Sequence, residues 1–166
     1  MNFSRMKFSN IFKKPLPTYD WKFGKRSLSK LEGVNDDLVR VTNLALTYSP
    51  VDFGITCGLR TQAEQNKLFE EGKSQVRHSR HQDGLAVDIV VYVNGKVTWE
   101  FKHYVVAAQA FARAARELNV DIRWGAAWNT LLNLTDAQDA HDNYVAVRKA
   151  HGKKAFIDGP HFEMVK

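Results

Sequence analysis

The stretch LAVDIVVYVNGKVTW, residues 85–99, decides the architecture. Its first half is a short run of β-branched and apolar residues, the composition of a buried strand rather than a helix. Asn94-Gly95 follows, the strongest two-residue hairpin signal, so the chain turns back into a second strand. One residue does not belong in such a strand. Asp88 sits within LAVDIVV, and an unpaired buried carboxylate costs several kcal/mol or stays protonated. It needs a partner. His81 lies seven residues earlier, with Gly84 between them to let the chain turn.

On the N-terminal side, Leu38, Val41 and Ala45 recur at helical spacing behind Asn35, a suitable N-cap, and Pro50 ends that unit. VDFGITCG reads as a strand. TQAEQNKLFEEG reads as a helix capped by Thr61, with Glu64 at its third position and Gly72 as stop. On the C-terminal side, residues 103–118 form an alanine-rich helix, and DIRWG and HFEMV are further strands. Residues 131–155 are polar, weakly periodic and basic at Arg148, Lys149, Lys153 and Lys154, and read as a partly helical insertion. Strands mixed with helices, one pair of them a hairpin, predict an α+β fold. The expected form is a single compact domain with a small, mainly antiparallel sheet flanked by helices.

The 166 residues suit one domain, and 44% hydrophobic with 25% charged residues is ordinary globular composition. The net charge of +6 is unevenly spread. Residues 1–22 hold five Lys or Arg against one acid, leaving the body nearly balanced, which argues against a nucleic-acid partner. That basic N-terminal extension has no uninterrupted apolar segment of a secretory signal. It reads as a solvated tail, or as a short amphipathic segment drawn to an anionic surface. No apolar run approaches the roughly 18 residues of a membrane span, so no stable membrane insertion is expected. The single cysteine, Cys57, excludes an internal disulfide and a cysteine-cluster metal site. It reads as a small buried hydrophobe, with a catalytic thiol as the sharper alternative.

A catalytic zinc takes three protein ligands and keeps one position open for water. His81 and Asp88 are two candidates, and His161, entering the last strand in IDGPHFEM, is a third. Asp158 precedes His161 by three residues. Gly159-Pro160 bends the chain between them, so His161 can hold a metal while Asp158 reaches the bound water as general base. On spacing alone, core or surface roles for these residues stay open. His78, His103, His141 and His151 are read as surface or core residues.

SRHQDGLAVD, residues 79–88, matches Ser-x-His-x-x-Gly-x-Ala-x-Asp, and DGPHFE, residues 158–163, matches an acid-x-x-His element downstream. GLRT, residues 58–61, with Gln65, and RWGAAWN, residues 123–129, add two more blocks in order. Together they resemble the zinc D-Ala-D-Ala metallopeptidase family, VanY/VanX-like and Hedgehog/DD-peptidase-like in fold. FGKRS and SPVDFGITCGLRT make the phage L-alanyl-D-glutamate endopeptidases, or endolysins, the most similar branch. The resemblance covers residues 23–166, a zinc peptidase domain interrupted at 131–155.

That resemblance assigns Zn2+ to His81, Asp88 and His161, and the general base to Asp158. It assigns Arg60 to the developing oxyanion, a structural salt bridge being the alternative. Ser79 orients substrate or holds its turn, and Glu163 is an acceptor for a ligand imidazole or a solvated strand acid. Ala127 stands where relatives often carry Asp. The implied function is a phage endolysin that hydrolyses the L-Ala-D-Glu bond of peptidoglycan stem peptides by zinc-activated water and lyses the host. Alternatives are a D-Ala-D-Ala carboxypeptidase or dipeptidase, and a non-catalytic zinc-bearing wall-binding module. A monomer is expected, held in the host cytoplasm until its release to the periplasm and wall.

Overall fold

The centre of the sheet is the strand that carries Asp88. The computed structural model describes residues 15–165. In chain order it contains α1 (Lys25–Lys30), α2 (Asp36–Tyr48), β1 (Asp52–Cys57), α3 (Gln62–Glu70), β2 (Ala86–Val93), β3 (Lys96–Thr98), α4 (Phe101–Leu118), β4 (Ile122–Trp124), α5 (Ala137–Ala150) and β5 (His161–Met164). Short 3-10 turns lie at Arg80–Asp83 and Leu132–Leu134. β1 runs along one edge of β2. β3 and β5 both pair with β2, β3 at Val91–Val93 and β5 at Ala86–Asp88. β4 adds outside β5, giving the order β1-β2-β5-β4, and every pairing is antiparallel. The β2–β3 turn has Asn94 at φ 51° and Gly95 at φ 73°, the two positive values that a type I′ hairpin requires.

Strand alternation divides the sheet into two faces. Val87, Ile89 and Val91 of β2, Phe53 and Ile55 of β1, Phe162 of β5, and Ile122 and Trp124 of β4 form the core. α2 and α4 cover that face, contributing Leu38, Val41 and Ala45 from one and Ala107, Phe111, Ala114 and Ala115 from the other. Phe111 stacks on Phe162 with ring centroids 3.9 Å apart. Burying one such ring stabilises by about 1.5–3 kcal/mol. The other face carries Asp88, His161, Glu163 and Arg123, in register: Asp88 opposite His161, and Arg123 opposite Glu163.

The expected helices and strands are all present, several of them longer or shorter by a few residues. Asn35 caps α2 by accepting from the Asp37 amide, and α3 opens with the Thr61–Glu64 capping box. α1 is an addition; it buries no residue and so carries no apolar periodicity. Residues 131–155 contain α5, and Leu132, Ala137, Ala140 and Tyr144 join the same core. Asn133 is buried, accepting from the Ile122 amide at 3.2 Å and donating to Asp121 at 2.9 Å. Residues 1–14 of the expected extension lie outside the described residues. Its remainder runs against α2, where the Tyr19 amide donates to Thr47 and the Trp21 indole to Ser49. Among the described residues no helix is long and apolar enough to cross a membrane.

Candidate active site

The site begins with a β-bulge. Ile55 pairs with Ile89 but Cys57 pairs with Asp88, so Thr56 is an extra residue in β1. Without it, Cys57 would share the core face with Phe53 and Ile55. The bulge reverses the parity and turns the thiol toward Asp88. The Thr56 hydroxyl donates to the Asp88 carbonyl at 3.2 Å, tying the two strands at that point.

The 3-10 turn then presents His81. Ser79 accepts from the His81 amide, Gln82 accepts from the Ser79 amide, and Gly84 at φ 68° closes the turn. A carbonyl can only accept, so the 2.8 Å contact with the Gly58 oxygen puts the proton on His81 Nδ1. Gly58 must be glycine, because a Cβ there would lie 1.9 Å from the Lys30 carbonyl oxygen. Nε2 of His81 is left facing Asp88 Oδ2 at 3.1 Å, buried and without a hydrogen bond.

β5 supplies the rest. His161 Nδ1 lies 3.0 Å from Asp88 Oδ1, and Nε2 donates to Glu163 Oε2 at 2.9 Å. Glu163 Oε1 in turn accepts from Arg123 at 2.7 Å. The turn from Asp158 to His161 is held against Gly125 by two crossed backbone bonds, the Asp158 amide to the Gly125 carbonyl and the Gly125 amide to the His161 carbonyl, each 2.8 Å. A Cβ on Gly125 would lie 2.2 Å from the Asp158 carbonyl oxygen and 3.0 Å from the Cβ atoms of both Asp158 and His161. Among the described residues, no hydrogen bond is donated to the Asp158 carboxylate.

Two donor groups overlap at Asp88: Cys57, His81 and Asp88, and Asp88, Asp158 and His161. Within each, the ligand atoms lie within 4.8 Å of one another. Between them the two groups offer two imidazoles, two carboxylates and a thiol, donor types that suit a divalent metal such as zinc. The specific sign is buried His81 Nε2, which makes no hydrogen bond and faces Asp88 Oδ2 at 3.1 Å, where a cation between them would satisfy both.

Comparison with known proteins identifies the family. A family model described as phage L-alanyl-D-glutamate peptidase matches residues 19–165. The chain belongs to the phage L-alanyl-D-glutamate peptidase family. It is 34% identical over 149 residues to the L-alanyl-D-glutamate peptidase of Escherichia phage T5, covering 87% of this chain and 98% of that protein. It also resembles the crystal structure of the L-Ala D-Glu endopeptidase ChiX of Serratia marcescens, with a TM-score of 0.67 and 37% identity. That likeness covers 88% of this chain and 92% of the other.

In this peptidase the electrostatics follow from the row of partners. Burial disfavours a charged His81, but Asp88 and Cys57 outweigh it and raise its pKa to about 10. His161 is likewise penalised by burial and raised to about 9 by Asp88 and Glu163. Asp88 is opposed by burial and held well below the usual carboxylate range by His161 and His81. Burial, and then the charge of Asp88, push Asp158 the other way, upward. A raised pKa lets Asp158 take up a proton more readily than an ordinary carboxylate.

Arg60 borders the same space. Its amide donates to the His81 carbonyl at 3.0 Å, and its guanidinium to Gln65 at 2.7 Å and to Cys57 Sγ at 3.4 Å. The same group lies 3.7 Å from Asp88 Oδ2. Gln65 is fully buried and also donates to Ser74 and the Val76 carbonyl, so it fixes Arg60 against the 74–76 loop. A groove of about 430 Å³ opens over the donors, between the 73–80 segment and the aromatic pair Trp128 and Phe156. Trp128 stands 5.2 Å from the His161 ring.

His81, Asp88, His161, Asp158 and Arg60 therefore all meet at one groove. Glu163 bonds the His161 ring, and Ser79 caps the His81 turn. Ala127 is buried in the core and bridged to Trp124. The residue missed by sequence reasoning is Cys57, which faces the donors instead of the core; no sequence signal marks the bulge responsible.

Proposed function

We propose that this peptidase hydrolyses the L-alanyl-D-glutamate bond of peptidoglycan stem peptides, as a phage endolysin acting on the host wall after release from the cytoplasm. His81, Asp88 and His161 would hold Zn2+, with His161 oriented by Glu163 and Arg123. The metal, when bound, supplies a Lewis acid and lowers the pKa of water toward about 7. Asp158 takes a proton from the attacking water and passes it to the leaving amine. Its raised pKa suits both halves of that transfer. Arg60, steadied by Gln65, offers a guanidinium to the oxygen that gains charge as the carbonyl is attacked. Trp128 and Phe156 form the apolar wall that holds the peptide over these groups.

The observation that carries the proposal is the free Asp158 carboxylate beside the Asp88–His161 donors in an open groove. A purely structural metal site has no use for such a group. The test is mass spectrometry of products from defined muropeptides. The expected product is a fragment with a new amino-terminal glutamate, and release of D-alanine instead would overturn the assignment.

A further inference from the structure

Five arginines are half-buried among the described residues: Arg60, Arg80, Arg113, Arg123 and Arg148. Four have partners. Arg60 bonds Gln65, Arg113 lies over the Tyr48 ring, Arg123 bonds Glu163, and Arg148 bonds the Lys154 carbonyl. Arg80 has none among the described residues. A guanidinium drawn part-way out of water normally finds a carboxylate or a carbonyl.

Its place makes the missing partner informative. Arg80 lines the groove and is the residue immediately before His81, in the same 3-10 turn. Its carbonyl accepts from the Leu85 amide at 2.9 Å, so its backbone is fixed relative to the metal donors. The other basic side chains near that wall are engaged. Lys73 pairs with Glu71 at 2.7 Å, His78 with Asp83 at 3.0 Å, and Arg77 sits over the Phe69 ring.

Resting on the reading above, we infer that Arg80 binds a free carboxylate of the substrate's glutamyl residue and so selects glutamate on the amine side of the scissile bond. That residue has two carboxyl groups, and continuation of the peptide uses at most one. The other is held close to the scissile nitrogen by the α-carbon or the short side chain. A guanidinium anchored beside His81 is placed to take it in a charge-assisted, bidentate pair.

The test uses the zinc-loaded full chain and two peptides that differ only at that group, one with the free carboxylate and one with a carboxamide. Wild type is expected to favour the carboxylate by about 10- to 100-fold in kcat/KM. Arg80→Gln is expected to bring that ratio near one, chiefly through KM, and Arg80→Lys to keep part of it. Equal cleavage of both peptides by wild type, or a wild-type ratio in Arg80→Gln, overturns the inference and leaves the proposed bond standing. Should Arg80→Gln fail to fold, an undiminished ratio in Arg80→Lys is the overturning result. Cleavage of neither peptide overturns the proposed function and this inference together.

Discussion

Val87, Ile89 and Val91 face the helices, while Asp88, between Val87 and Ile89, faces the groove, so one strand serves two surfaces of opposite kind. On the helix side, contacts are apolar and interchangeable in chemistry, as with Phe162 on Phe111. On the groove side every link is specific: Asp88 to His161, His161 to Glu163, Glu163 to Arg123. The same register that packs Phe162 aligns His161 with Asp88. Stability resides mainly on one face, and chemistry on the other. The groove side adds a cost, since Asp158 is desolvated next to another acid.

The largest expected effect separates the two faces cleanly. Asp158→Asn should lower kcat/KM by about 10²- to 10⁴-fold, measured on a defined stem peptide. Its stability should not fall. The folded-state pKa of Asp158 is raised, so folding penalises its ionised form. That penalty is absent below the unfolded pKa and complete above the folded one. Removing the charge should therefore leave the pH 7 denaturant midpoint equal or higher, and the gain should vanish in acid. A lower midpoint at pH 7 would break the comparison.

From the other face, Phe162→Ala should cost about 3–5 kcal/mol in urea unfolding. It should keep its metal stoichiometry wherever it remains folded, although His161 and Glu163 flank it. Loss of metal without loss of stability would mean the faces are not separable. A smaller effect sharpens the groove side: Glu163→Gln should weaken zinc binding by about 10- to 100-fold in chelator competition, by loosening the His161 ring.

Much of the helix-side face is legible in sequence, because burial imposes period. LAVDIVVYV and the Asn94-Gly95 turn predict β2 and β3, and the Thr61–Glu64 pair predicts the start of α3. The groove side is legible only as a constellation. His81, Asp88, His161 and Asp158 stand out through a residue pattern, and an acid in an apolar strand signals that one position faces elsewhere. What stays hidden depends on pairing across the sheet. The Thr56 bulge that redirects Cys57 has no local signature, since FGITCG reads as an unbroken strand. α1 buries nothing, and α5 buries only Ala137, Ala140 and Tyr144, two of them alanines, so neither shows a strong apolar stripe. The missing partner of Arg80 emerges only when its neighbours can be counted in space.

The most direct test of the groove-side account is zinc content measured alongside activity, for wild type and Asp88→Asn. Asp88 joins both donor groups, so its loss removes the shared member. The account predicts one zinc per active wild-type chain, and neither metal nor hydrolysis in the variant. Full activity in metal-free protein would contradict it.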